Sequence, residues 1–195
     1  MKRILYLSLV FIILFAGQAT AQSDYQKTVA RYKNVKMVTA QVTKIVHKKA
    51  LDNELVTKGG SFLVKPQVVS ISTNDGQDRL VMNGTKFTMT RSGRDHVTDS
   101  KKNKQFETFH TVLNSIISGG SPDISSLPDV KVQKSGTSLS ITITPIATDK
   151  KSQRRMMFQR IVLVMDMKTS DFRLLRLVER NGDYSDYEFT NHQYQ

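Results

Sequence analysis

Apolar and polar residues alternate through most of this chain, in short segments that stop at glycine, asparagine, aspartate or proline. Successive side chains on a strand point to opposite faces, so this alternation describes half-buried strands. Val38, Ala40, Val42 and Val46 fall on one side of the first segment and Thr39, Gln41 and Thr43 on the other. Leu51-Asp52-Asn53-Glu54 forms a turn, and residues 55–64 return with Phe62 and Val64 on one face. Pro66 ends that strand because it has no N–H to give to a ladder. Residues 68–72 carry Val69 and Ile71 on one face. Leu80-Val81-Met82 runs into Asn83-Gly84, a strong two-residue hairpin signal, and residues 86–91 continue with Phe87 and Met89 on one face. A turn at Ser92-Gly93-Arg94-Asp95 leads to a short strand at 96–99.

Two segments change period. Tyr25, Val29 and Tyr32 are spaced four and three apart, which predicts a short helix over 24–32 capped by Ser23 or Asp24. Phe106, Phe109, Val112, Leu113, Ile116 and Ile117 form one helical stripe, stopped at Gly119-Gly120. Strands then resume at 130–133, 139–144, 158–165, 172–179 and 184–192, with turns about Ser135-Gly136 and Asn181-Gly182-Asp183. The reading is of about ten strands in sequential hairpins. Such a meander must curl to hide its apolar face. The expected fold is mainly β with α: an incomplete antiparallel β-barrel, or half-barrel, with a helical lid and a pocket between sheet and helix.

The start of the chain speaks to location. Lys2 and Arg3 precede an apolar run over 4–16, and Ala19-Thr20-Ala21 gives the small-x-small pattern of a cleavage site. The run is shorter than the roughly 20 residues a membrane span needs. Residues 1–21 are expected to be a signal peptide, leaving 22–195 as one exported domain. The chain has no cysteine. That removes acylation after the signal, disulfide scaffolds, thiol catalysis and cysteine metal sites. Without Lys2 and Arg3 the formal charge falls from +12 to +10, which favours anionic partners. The basic runs Lys101-Lys102-Asn103-Lys104 and Lys150-Lys151-Ser152-Gln153-Arg154-Arg155 lie between apolar segments and read as solvated loops; nucleic acid is not expected as a partner.

Motifs for catalysis are missing. His47, His96, His110 and His192 stand at no metal-ligand spacing, and no nucleophile elbow, phosphate loop or dinucleotide glycine pattern occurs. The expectation is no enzyme, no cofactor and no metal. Methionine is plentiful and tryptophan absent. Flexible methionines suit a surface that takes variable apolar partners, although they also fill ordinary cores. A half-barrel lined by Met, Val, Ile and Phe suits a lipid chain.

The order of these elements resembles a known family. Export signal, short helix, long strand, Gly60-x-Phe62-x-Val64-Lys65-Pro66 and an apolar strand is similar to the opening of the periplasmic lipoprotein carriers of the LolA type. Leu80-Val81-Met82-Asn83-Gly84-Thr85-Lys86-Phe87 resembles the family's next strand–turn–strand step, and the helix at 106–118 falls where the family places lid helices. The resemblance covers about residues 24–192. It implies a monomeric periplasmic carrier that receives acylated lipoproteins, or other lipids, from inner-membrane release machinery. The carrier then passes them to an outer-membrane acceptor through transient membrane contact. The family has an arginine before the proline, implicated in lid closure and transfer; here Lys65 stands there. The family's best-known members also run on beyond the last strand.

On this reading the acyl-chain cavity is lined by Val69, Ile71, Phe87 and Met89 from strands and by Phe106, Phe109, Leu113 and Ile117 from the lid. Val42 and Val46 are secondary candidates, and Lys65 serves lid movement and transfer. One alternative is a non-catalytic envelope interaction module that uses a basic surface. Another is a hydrolase of lipid-like substrates, against which the missing nucleophile motif counts. Export is tested by intact mass: the protein recovered from the envelope should begin at Gln22, and a membrane-bound form beginning at Met1 would contradict the signal.

Overall fold

The computed structural model describes residues 21–51, 53–147, 149–150, 153 and 156–195. The signal expected over 1–21 therefore lies outside the described residues except for Ala21. A helix over 21–29 (α1) passes into a 3-10 turn at Ala30–Asn34. Tyr25, Val29 and Tyr32, the residues that predicted this helix, are all buried. Six strands follow: β1 (Val38–His47), β2 (Leu55–Lys65), β3 (Val68–Thr73), β4 (Asp78–Asn83), β5 (Lys86–Arg91) and β6 (Arg94–Asp99). The helix α2 (Lys104–Ile117) comes next. The chain then adds β7 (Val130–Ser135), β8 (Ser138–Ile143), β9 (Phe158–Asp166), β10 (Phe172–Glu179) and β11 (Tyr184–Tyr194).

All eleven strands form one antiparallel sheet, in the order β6-β5-β4-β3-β2-β1-β11-β10-β9-β8-β7. Each half is a plain meander, as the turn signals require. The halves join where β1 pairs with β11. The outer strands β6 and β7 do not pair with each other, so the sheet is open, and α2 is the element that leads from one edge to the other.

Local irregularities bend the sheet. The β1–β2 register shifts between Val42 and Lys44, where Gly59 takes φ +78°, and the β1–β11 register shifts between Thr39 and Gln41, opposite Asn191 at φ +55°. An extra residue of this kind kinks its strand and increases the twist. Gly60 sits at the bend. A Cβ there would lie 2.5 Å from the Ser72 carbonyl oxygen and 3.1 Å from Val42 Cβ, so only glycine lets β3 come this close on the concave side.

The joint between the halves is clamped on its convex face. Arg176 on β10 donates from Nε and Nη2 to the two carboxylate oxygens of Asp186 on β11, both at 2.7 Å. His47 of β1 stacks on Tyr184 at 4.1 Å, and the Arg176 guanidinium lies 4.4 Å from the same ring. The inward faces carry the apolar residues. Leu139, Ile141 and Ile143 on β8, and Ile161, Leu163 and Met165 on β9, are buried at alternate positions.

Gly60→Ala should overpack the bend and cost about 1–3 kcal/mol. Urea unfolding of the variant beside the wild type measures this, and an unchanged midpoint would show that β3 can move away freely.

Candidate functional site

The concave face and α2 enclose the interior. The helix forms because its apolar residues recur at helical spacing, and the same stripe is what it buries: Phe106, Phe109, Val112, Leu113 and Ile116 all point into the core. Phe106 stacks on Phe87 of β5 at 4.2 Å, and Phe109 meets the same ring edge-on at 6.0 Å. Phe62 lies 4.6 Å from Phe189 and 5.3 Å from Phe172 across the joint of the two halves. Between these groups remains a void of about 20 Å³, lined by apolar side chains alone. That is roughly the space of one water molecule. With no polar partner in the wall, a water there would gain little.

A buried hydrogen bond latches the two helices. Tyr25 Oη on α1 donates to Ser115 Oγ on α2 at 2.7 Å, and Ser115 Oγ in turn donates to the Pro122 carbonyl. Burial pushes the Tyr25 phenol up to about 12, so it stays a neutral donor at any ordinary pH. Gly120, at φ +103°, lets the chain after α2 pass against Gln26, whose Nε2 donates to the Gly120 carbonyl at 3.2 Å. Tyr32 continues the cover, edge-on to Phe172 at 5.7 Å and donating to the Ser170 carbonyl at 2.8 Å. Thus α1 and the 3-10 turn after it cover the end of the half-barrel where β10 begins and β11 finishes.

The opposite end is polar. Lys44 Nζ lies 2.9 Å from Asp78 Oδ2, and Arg91 Nη2 lies 3.2 Å from Glu179 Oε1. Burial works to raise the Asp78 carboxyl. Hydrogen bonds from Lys44 and the Ser92 amide, with the charges of Lys44 and Arg91, outweigh that effect and hold it below the ordinary carboxylate range. Burial pushes the nearby Tyr187 phenol up to about 12. Among the described residues no cluster of histidines and carboxylates could hold a metal ion.

Five of the residues expected from sequence meet around the void: Val69, Ile71, Phe87, Phe109 and Leu113. Phe106 is buried behind Phe87, and Ile117 is half-buried against the core. Met89 faces Leu80 across β4–β5 and lines the polar end instead, half-buried. Val42 is buried and Val46 half-buried. Lys65 is not brought together with them. It is exposed at the last position of β2, in phase with Leu63 and out of phase with the buried Phe62 and Val64, and so belongs to the convex face. The wall also holds Phe62, Leu80, Met82, Leu163, Phe172, Leu175 and Phe189. Their alternation was visible, but which face of the second half turned inward was not.

The chain is similar in course to LolA-type structures. It aligns with a LolA superfamily protein from Nitrosomonas europaea at 10% identity and a TM-score of 0.39, covering 90% of this chain and 93% of that one. A putative outer membrane lipoprotein-sorting protein domain from Vibrio parahaemolyticus gives 11% identity and a TM-score of 0.45, covering 91% and 93%. The lipoprotein LppX of Mycobacterium tuberculosis gives 10% and 0.37, covering 88% and 94%. No family model matches the sequence, and no curated protein matches it.

Ser115→Ala leaves the buried Tyr25 hydroxyl without its acceptor and should cost about 1–3 kcal/mol. Adding Tyr25→Phe should recover part of that loss, which a double-mutant cycle in urea reads directly. Purely additive losses would mean that the two side chains do not latch α1 to α2.

Proposed function

We propose that this protein is a non-catalytic envelope carrier that shelters acyl chains in its half-barrel. The observation that carries the reading is the interior: a phenylalanine-rich concave wall whose cover is one amphipathic helix, with no polar group in the void between them. The void of about 20 Å³ is too small for a hydrocarbon chain, so the described form is the closed one. Uptake requires α2 to move. An acyl chain then replaces the α2 side chains on the concave wall, at about 0.8 kcal/mol for each CH₂ removed from water. Exchange of one apolar partner for another keeps the balance between open and closed forms small enough to reverse.

In its full form the proposal is a periplasmic carrier that takes acylated lipoproteins from the inner membrane to an outer-membrane acceptor. The export pattern at the start of the chain supports it. So do the sequence resemblance and the apolar interior. Among the described residues no helix is long and apolar enough to cross a membrane.

One observation favours a second reading, an interaction module. Leu51, Leu55 and Val56 are about half exposed around the β1–β2 turn, beside Lys48, Lys49 and Lys58. This basic, apolar tip fits an envelope surface whether or not the interior ever opens.

Titration with a fluorescent acyl probe separates the two. The carrier should show saturable binding. Phe109→Ala should open the interior and speed probe uptake, at a stability cost at or below the roughly 3–5 kcal/mol expected of a fixed core phenylalanine. A wild-type protein that binds no probe, with Phe109→Ala changing stability alone, would reject the carrier and leave the interaction module.

A further inference from the structure

The inward positions of the sheet stop being apolar at one end, and they do so together. Lys44 takes the inward place between Val42 and Val46 on β1, opposite Tyr187 of β11. Its side chain, only 13% exposed, spans β2 and β3 to reach Asp78 on β4. Arg91 of β5 meets Glu179 of β10 with five strands between them in the sheet, so the two halves of the half-barrel face each other across this mouth. The space inside shares Ile71 and Leu80 with the apolar void, so hydrocarbon and charge meet along one wall.

The ion pairs of this mouth balance, but one buried polar group beside them is left without a partner. Lys44 and Arg91 balance Asp78 and Glu179 in charge, while Arg79, exposed and out of phase with the buried Leu80 and Met82, belongs to the convex face. Thr73, the cross-strand partner of Asp78 and on the same face, is 2% exposed, and its hydroxyl has no hydrogen-bond partner. A buried hydroxyl is rarely left so unless something else comes to it.

We propose that this mouth is a headgroup site, which takes the carboxylate or phosphate of an acyl-chain amphiphile whose hydrocarbon occupies the adjoining interior. The inference rests on the interior taking acyl chains. An arriving anion exchanges with the Asp78 carboxylate on Lys44, or bridges Lys44 and Arg91 at the rim, and Thr73 offers it a further donor. Charge-assisted hydrogen bonds of this kind are strong because the site is only partly hydrated. An uncharged ester brings no charge to replace Asp78 and gains nothing there. The ligand class is therefore a long-chain fatty acid or an anionic phospholipid, in preference to a neutral lipid.

Three probes of equal chain length test this on the exported protein: palmitate, dipalmitoyl phosphatidylglycerol and methyl palmitate, each displacing a neutral fluorescent acyl probe. At least one anionic probe should bind about tenfold more tightly than the ester. Binding of palmitate alone assigns the carboxylate, of phosphatidylglycerol alone the phosphate, and of both a general anion site. Lys44→Met should abolish the preference. Asp78→Asn removes the internal competitor and should tighten the anionic probes while leaving the ester unchanged, a gain that a misfolded variant cannot produce. Equal affinity for all three probes, unmoved by either substitution, would overturn the headgroup site and leave acyl binding intact. If none of the three binds, the acyl-chain reading fails and the headgroup site falls with it.

Discussion

An eleven-stranded sheet that curls without closing has one apolar face to hide, and α2 is what hides it. The rings of Phe106 and Phe109 on Phe87 are both the seal of the core and the occupants of the space an acyl chain would take. Stability of the closed form and affinity for a guest therefore draw on the same surface. Each aromatic side chain buried is worth about 1.5–3 kcal/mol, so better packing of the helix weakens any guest by a comparable amount. The latch from Tyr25 to Ser115 adds a polar contribution that an acyl chain cannot replace. It sets a threshold for opening that is separate from the apolar exchange.

Much of this architecture was legible from alternation and turn chemistry. Asn83-Gly84 and Asn181-Gly182 mark hairpins because the tight turns need positive φ, and Gly84 and Gly182 have it. The stripe from Phe106 to Ile117 could be only a helix, and one too apolar to lie in water. Strand order was not legible in the same way. Nothing local in β1 or β11 states that they pair, since the pairing is between segments far apart in the chain. For that reason the first half of the wall was read from Val69, Ile71 and Phe87, while Phe172, Leu175 and Phe189 were missed. In β10 the difficulty is sharper: Leu174 and Leu175 are adjacent apolar residues, and only the register with β11 shows which one faces in.

Lys44 and Lys65 teach the complementary lesson. Lys44 was the gap in an otherwise apolar series, between Val42 and Val46, and a charge at an inward position is informative because it needs a partner. That partner, Asp78, lies across two intervening strands and became visible only in the curled sheet. Lys65 drew attention through its place before Pro66. The alternation of Phe62 and Val64 already put it out of phase with the interior, on the face away from α2.

The joint at β1 and β11 also bears on how the molecule is made. Gln41 and Asn191, which hydrogen-bond across it, lie 150 positions apart. Every other strand pair joins neighbours in sequence, so two ribbons of hairpins form from local contacts and fuse along a single seam. Until that fusion, a ten-residue strand and an eleven-residue strand each present an unpaired edge. Such edges are templates for pairing with other chains. A newly made chain is thus most exposed to aggregation just before its last strand arrives, and a holdase that guards it would do most by shielding β1.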